Sequence, residues 1–338
     1  MEIREAGENS AVVLHVSPTD AEKRLDAYLA EKIENWSRSR LQKLIDEGDC
    51  LVNQKESKSS YKLRSGDEIE IELTELPTAE FVPEDIPLEI VYEDAHLAVV
   101  NKPAGMVVHP GAGVPSGTLA NAVAYKFNIQ SEELKFAAGS DEQSKIQNLK
   151  SKIGIVHRLD KNTSGLIVVA KDEATHEALS EQFRARAVYK SYVALVHGAT
   201  RENSGRIEAT IGRDRYNRLK MSANKAGGRS ALSLWKVRQR FEKFTLLDVQ
   251  IKTGRTHQIR VHLAFINHPV VGDETYNEGR DKTVADPKIK QAIINLSRVF
   301  LHAEKLAFTH PHTQQRLNFV AALPAELTEF LKLFNLNE

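Results

Sequence analysis

Three prolines close together, Pro77, Pro83 and Pro87 in "TELPTAEFVPEDIPLE", divide the chain before any other feature is considered. Each ring fixes its own backbone angle and removes a donor N–H, so neither a helix nor a central strand can run through the stretch. Residues 76–87 are therefore expected to be a linker between two units. At 338 residues there is chain enough for both.

Ahead of the linker, Leu25, Leu29 and Ile33 recur at a spacing of four with polar residues between them, which predicts one buried helix face. A second short helix is expected with Ser37 as its cap, Leu41, Leu44 and Ile45 inward, and Gly48 as its stop. Arg38, Arg40 and Lys43 then fall on its polar side. "CLVNQ" and "DEIEIEL" read as strands, the second by strict alternation of Ile69, Ile71 and Leu73 with acids. The single cysteine, Cys50, is expected to be a small buried hydrophobe; it excludes both an internal disulfide and a cysteine-based metal site. Residues 17–75 thus form a small α/β unit, preceded by a polar tail over 1–16.

Beyond the linker, residues 88–338 read as one larger unit. "LEIVYEDAHLAVVNKPAGMVVHPG" predicts two apolar strands about a turn, and a helix is expected over 118–127. Residues 128–152 are polar with weak periodicity and are read as a surface insertion. "DEATHEALSEQFRAR" predicts a helix capped by Asp172 with Ala178, Leu179 and Phe183 inward, and "VYKSYVALVHG" a strand followed by others as far as residue 252. "THQIRVHLAFINHP" predicts a helix capped by Thr256 and burying Ile259, Leu263 and Ile266, and "PAELTEFLKLF" a packing helix at the C-terminus.

The formal charge of zero conceals a strong asymmetry. Residues 1–100 carry 11 Lys+Arg against 23 Asp+Glu, whereas residues 151–270 carry 22 against 10. A phosphate backbone is drawn to local cations, so the middle of the chain is the expected site for a polyanion. No apolar run approaches the roughly 18 residues of a membrane span, and the N-terminus lacks the basic-then-apolar pattern of a secretory signal. A cytoplasmic protein with no membrane partner is expected.

Within the basic segment, "GIVHRLDKNTSGLIVVAKD" sets one carboxylate, Asp160, among His157, Arg158 and Lys161. Neighbouring cations favour the ionised carboxylate, which suits a nucleophile or base rather than a general acid. A loop salt bridge would look the same in sequence. An ordinary glycosidase needs a second carboxyl group, and none is nearer than Asp172. The chain lacks a P-loop lysine pattern, a dinucleotide fingerprint, a "GxSxG" elbow and an "HExxH" helix. No metal and no cofactor are expected.

The run "HRLDKNTSGLIVVAKD" resembles the signature of the RluA/RluD family of pseudouridine synthases. "NKPAGMVVHPG" before it, "YKSYVALVHG" after it, "KTGRTHQIRVHLAFINHPVVGD" and "FLHAEKLAFTHPHT" further on follow that family's order. Residues 17–75 resemble an S4 RNA-binding domain through "KRLDAYLAEKI", "SRSRLQKLIDEGDCLVNQ" and "LRSGDEIEIEL". The resemblance implies an α+β catalytic domain around a mixed, largely antiparallel sheet with flanking helices. It also implies isomerisation of uridine to pseudouridine in RNA, most closely that of the large ribosomal subunit, by an enzyme expected to be a monomer. Carried over by position, it makes Asp160 the catalytic nucleophile, Tyr192 the ring stacking on the target base and Arg260 the partner of Asp160. Expected RNA contacts are Arg158, placed to fill the space left by the extruded base, with His157, Lys161 and Arg255. In the S4-like unit, acidic overall with 10 basic residues against 14 acidic, they are Arg24, Arg38, Arg40 and Lys43. The competing readings are a non-catalytic S4-type RNA-binding or ribosome-assembly factor, a synthase acting on tRNA, and a hydrolase that would release free uracil.

Overall fold

The computed structural model describes residues 2–6, 9–33, 36, 38–73, 81–110, 114–129, 154–214, 220–224 and 226–335, with no statement on some side chains near the N-terminus and in the second helix. The chain divides into two compact units, one running to Phe81 and the other beginning at Val82. That break falls inside the proline-rich stretch. Nearly all of the expected insertion at 128–152, and Ser37, lie outside the described residues.

In the first unit, helices α1 (Leu25–Lys32) and α2 (Arg38–Glu47) pack on a five-stranded sheet. Its strands are β1 (Glu2–Ala6), β2 (Asn9–His15), β3 (Cys50–Val52), β4 (Lys55–Glu56) and β5 (Glu68–Leu73), in the order β1-β2-β5-β3-β4. The expected tail is therefore corrected: Glu2–Ala6 and Asn9–His15 are strands, and β2 pairs antiparallel with β5, Val12 opposite Ile71 and Leu14 opposite Ile69. The physical reason is the apolar core these alternating residues share with Leu25, Leu29, Leu41 and Leu44. Cys50 lies in the same core, and burial pushes its thiol up to about 12.

The second unit is built on a ten-stranded sheet. Its strands are β6 (Glu89–Glu93), β7 (Leu97–Lys102), β8 (Ser164–Ala170), β9 (Tyr189–His197), β10 (Ser204–Arg213), β11 (Met221–Ala223), β12 (Arg229–Arg240), β13 (Phe244–Ile251), β14 (Leu301–Thr309) and β15 (Arg316–Val320). The order is β11-β10-β12-β13-β9-β14-β8-β7-β6, with β15 paired to β14. Only β14 and β8 are parallel, so the sheet is mixed and largely antiparallel, as expected. Helices α3 (Leu119–Lys126), α4 (Glu173–Arg184), α5 (Gln258–Phe265), α6 (Pro287–Leu296) and α7 (Ala325–Asn335) flank it. β7, β8 and β9 are the apolar centre; β8 is buried along its whole length, which suits its β-branched run "LIVVA".

Two local features position the site. At the β8–β14 crossing, a Cβ on Gly165, which has φ +114°, would lie 2.3 Å from the Ala303 carbonyl oxygen, so only glycine permits this approach. Ser164 beside it is held by Arg298, whose Nη2 donates to Oγ at 2.8 Å, and its hydroxyl lies 2.8 Å from His302 Nδ1. The start of β8, directly after the Asp160 loop, is thereby locked to β14.

Candidate active site

Asp160 sits in the turn that leads into β8, where the Thr163 amide donates to the Asp160 carbonyl at 3.1 Å. The next carbonyl, that of Lys161, accepts from the Gly105 amide at 2.9 Å and from Lys102 Nζ at 3.3 Å. Lys102 is fully buried at the end of β7, and its Nζ also donates to the carbonyls of Pro103 and Met106 at 2.7 and 2.9 Å. Burial pushes it down to about 7 with help from Arg298, while the Asp160 charge acts in the opposite direction. One side chain thus ties the loop after β7 to the Asp160 turn through three backbone carbonyls.

Arg260 approaches from α5. Its Nη1 donates to Asp160 Oδ2 at 3.3 Å. Its other edge is a fork to Asp273, with Nε to Oδ2 at 2.7 Å and Nη2 to Oδ1 at 2.8 Å. Asp273 Oδ1 also accepts the Thr275 and Tyr276 amides at 3.1 and 3.2 Å. Burial works against the Arg260 charge, but Asp273 and then Asp160 outweigh it and hold the guanidinium's pKa above its ordinary value. The Tyr276 ring lies 5.0 Å from the guanidinium carbon.

The expected cap of this helix is corrected. The N-cap is His257, in the left-handed region at φ 55°, and Thr256 lies outside the helix. His257 Nδ1 lies 2.8 Å from the Tyr276 hydroxyl, whose oxygen accepts the Met221 amide at 2.9 Å. The Tyr276 hydroxyl thus joins His257 to the β11 backbone, with the donor of the His257–Tyr276 bond set by the imidazole tautomer. Burial lowers the His257 pKa, against an upward pull from Asp160. A side-chain tie to β11 and the Arg260 cluster fixes the turn where a threonine cap was expected.

Tyr192, on β9 opposite Val249 of β13, is only 6% exposed yet lines the same cavity as Asp160. Burial, and next the Asp160 charge, push its phenol up, so it is neutral. The cavity has a volume of about 530 Å³, and Arg158, Arg186, Lys190, Lys252 and Arg255 are among its basic lining residues. Arg158 and Lys161 are exposed, and Arg255 is half-buried with its Nε 3.3 Å from the Ser230 carbonyl.

His157 is among the cavity-lining residues and is also tied into the fold. Its Nε2 accepts the Val168 amide at 3.0 Å, and its ring stacks on Phe183 with centroids 4.6 Å apart. Burial pushes its pKa down to about 3, so it serves β8 as a neutral acceptor. In the first unit, Arg24 forks onto Asp26 at 3.1 and 3.0 Å, and Arg38 Nη2 meets both oxygens at 3.0 Å. Asp26 is wholly buried while the two arginines are about half exposed, so one acid presents two guanidinium groups to solvent. The side chains of Arg40 and Lys43 lie outside the described residues.

Sequence reasoning missed Lys102, Asp273, His257 and Tyr276 as parts of the site. Lys102 and Asp273 lie inside the segments "NKPAGMVVHPG" and "HPVVGD", but nothing in those strings shows what they touch. The described helices include none long and apolar enough to cross a membrane.

A carboxylate held by a buried guanidinium, with a neutral tyrosine lining the same basic cavity, defines an enzyme site suited to a planar group carried on a polyanion. Comparison with known proteins gives that class its family. The RNA pseudouridylate synthase family matches residues 96–265, and the S4 domain family matches residues 23–69. The chain is 40% identical over 324 residues to an uncharacterized RNA pseudouridine synthase of Chlorobaculum parvum, spanning 94% of this chain and 95% of that one. It is 41% identical over 317 residues to the ribosomal large subunit pseudouridine synthase D of Neisseria meningitidis serogroup A, spanning 93% and 79% respectively. Among solved structures, human RNA pseudouridylate synthase domain containing 1 aligns with a TM-score of 0.51 at 26% identity, covering 74% of this chain and 87% of that chain. Human RNA pseudouridylate synthase domain containing 4 shares the fold, with a TM-score of 0.55 at 23% identity over 73% and 93% of the two chains. The chain belongs to the RNA pseudouridine synthase family, and it is an isomerase carrying an S4 domain.

Proposed function

We propose that this enzyme converts uridines of large-subunit ribosomal RNA to pseudouridine, as a cytoplasmic monomer, with Asp160 as its nucleophile. The observation that carries the reading is the 3.3 Å bond from Arg260 to Asp160 on the wall of a cavity wide enough for an extruded nucleotide. Arg260, itself forked to Asp273, aims one carboxylate oxygen at the target and leaves the other free. Attack by the free oxygen on carbon 1′ of the sugar forms an ester bond there as the bond to nitrogen 1 breaks and the base leaves with that electron pair. The base turns, its carbon 5 attacks carbon 1′ and expels the Asp160 carboxylate, and the proton lost from carbon 5 is balanced by one gained at nitrogen 1. Tyr192 offers its ring to the base and its hydroxyl to the proton movements at carbon 5. The bond to Asp160 is made and broken again, and the net change is confined to one nucleotide, so no external reagent is consumed.

Arg158 stands exposed two residues before Asp160 and is assigned to the gap that the base leaves. Ribosomal RNA is favoured over tRNA because the chain, S4 domain included, aligns over 93% of its length with a relative named for the large ribosomal subunit. The test is to incubate the purified protein, and separately Asp160→Asn, with ribosomal RNA and tRNA from cells lacking it, and to map pseudouridine. New pseudouridine in large-subunit RNA with the wild type alone is the expected result. Identical maps for the two proteins, or modification of tRNA only, would overturn the proposal; free uracil would mark a hydrolase.

A further inference from the structure

At the far end of α4 from the cavity, three segments bring a different chemistry together. His96 from the turn before β7, Asp172 at the N-cap of α4 and His312 from the turn between β14 and β15 each offer a donor atom, and these atoms lie within 4.8 Å of one another. The His96 and His312 rings stack with centroids 3.6 Å apart and 16° between planes. His96 Nδ1 lies 3.3 Å from Asp172 Oδ2. Two ligands on a tetrahedral ion with bonds near 2 Å stand roughly 3.3 Å apart, so this pair already has the separation of one tetrahedral edge.

The supports are rigid. Asp94 Oδ1 accepts the His96 amide at 2.7 Å, and Asp94 Oδ2 lies 2.9 Å from His310 Nε2. His310 Nδ1 in turn accepts the amides of His312 and Thr313, each at 3.1 Å. His310 is therefore committed to the fold, and the Asp94–His310 pair holds the backbone on which both His96 and His312 stand. Asp172 is fixed by the Thr175 amide and hydroxyl, each donating at 2.8 Å. Burial acts to raise the Asp172 pKa, but bonds from Thr175 and from His96 outweigh it and keep it below the ordinary range. Because the Thr175 hydroxyl proton goes to Asp172, its oxygen faces His312 Nε2, 3.1 Å away, as an acceptor. That leaves a lone pair on His312 Nδ1 when the ring is neutral. His312 is exposed on its turn, and turning its Nδ1 toward the other two donors would exchange the stack on His96 and the Thr175 contact for a bond to the ion.

We infer that His96, Asp172 and His312 form a binding site for a late first-row divalent ion such as zinc, completed by water. Two imidazoles with one carboxylate are the ligand types such ions take, and magnesium or calcium would require more oxygens. The 12 residues of α4 span roughly 18 Å, with Asp172 before one end and cavity-lining Phe183 and Arg184 at the other. An ion here would clamp the base of α4 to β7 and the β14–β15 turn, and would take no part in the chemistry at Asp160. A search for ligand spacing on one helix could not find it, because its residues come from three separate segments.

The test titrates chelator-treated full-length protein, free of any polyhistidine tag, with zinc chloride by calorimetry. Wild type should bind one zinc more than the double variant His96→Ala, His312→Ala, each single variant should bind about tenfold or more weakly, and His176→Asn should match wild type. Zinc should raise the melting temperature of wild type and leave that of the double variant unchanged. Should the double variant fold poorly, histidine modification by diethyl pyrocarbonate, mapped by peptide mass, gives the same answer on wild type: zinc should protect His96 and His312. Equal zinc binding by wild type and double variant, or equal modification with and without zinc, would overturn the inference.

Discussion

Asp273 and Arg260 form a buried fork: both carboxylate oxygens meet the guanidinium, at 2.7 and 2.8 Å, while the remaining nitrogen reaches Asp160 at 3.3 Å. The shorter pair is structural and the longer one faces the cavity, so Asp273 decides where Arg260 can place Asp160. Removing one partner of a buried pair leaves the other charge uncompensated, at a cost of about 3–5 kcal/mol. Asp273→Asn keeps the shape and one acceptor but loses the charge. We expect it to lower the melting temperature and to reduce single-turnover rate roughly 100-fold with little change in RNA affinity, since small displacements of a reacting group cost about that much. An unchanged rate would show that Asp160 is held without Arg260.

Tyr192 separates stacking from proton transfer. Phenylalanine keeps the ring in a position that is only 6% exposed and removes the hydroxyl alone. Tyr192→Phe should bind RNA as wild type does and lose activity by about 10²–10⁴-fold, the range for removal of a general acid–base group. Equilibrium binding and single-turnover assays on the same RNA distinguish this from a purely stacking role, for which Tyr192→Phe would be fully active.

Lys102 is a test of the loop rather than of the chemistry. Its three carbonyl acceptors include that of Lys161, the residue after Asp160. Lys102→Met fills the volume but takes this donor from the Pro103 and Met106 carbonyls, leaving that of Lys161 to the Gly105 amide, and each unsatisfied buried group costs about 1–3 kcal/mol. Thermal melting should fall, and activity should fall with it while the pH profile keeps its shape. A full-strength variant would mean that the Gly105 amide holds the loop unaided.

His157 gives stability a pH dependence of definite sign. Its folded pKa, about 3, lies below the ordinary 6.5, because burial and the accepted Val168 amide require a neutral ring. The unfolded chain therefore binds more protons than the folded one between these values. Stability from this group is complete above about pH 6.5 and declines as pH falls, by at most about 1.4 kcal/mol per pH unit for one proton. Buried His262 and His302, also lowered by burial, add in the same direction. Denaturant melts at pH 7.5 and pH 5 should show the loss, reduced in His157→Gln; a wild-type protein no less stable at pH 5 would contradict it.

Much of this arrangement can be traced in the string, and the part that cannot has a physical cause. The alternation of Ile69 and Ile71 with acids gives a buried face of β5, and the spacing of Leu25 and Leu29 the buried face of α1. The strands β1 and β2 were missed because their flanks are acidic and polar, and pairing decides their state, β2 with β5 and β1 with β2. Thr256 was the better cap by residue type, but His257 takes that place through a side-chain bond to Tyr276, 19 residues on. Asp160 and Arg260 stand 100 residues apart, and Asp273 is a further 13 beyond; resemblance could pair the first two, whereas only the fold supplies the third.

Arg158 carries the remaining prediction. It is exposed and lines the cavity, two residues before Asp160, while Leu159 between them is buried and anchors the turn. A residue so placed can enter the space vacated by a base without disturbing the carboxylate. Extruding a stacked base costs a few kcal/mol, and an arginine that stacks in the gap and meets phosphate would offset part of it. The benefit exists only where there is a stack to repair. Arg158→Ala should therefore lose about tenfold or more activity on a folded RNA relative to its loss on a short unstructured one, as measured by single-turnover rates at fixed salt. Equal losses on both would make Arg158 a general phosphate contact, and its removal should then flatten the salt dependence of binding to either RNA alike.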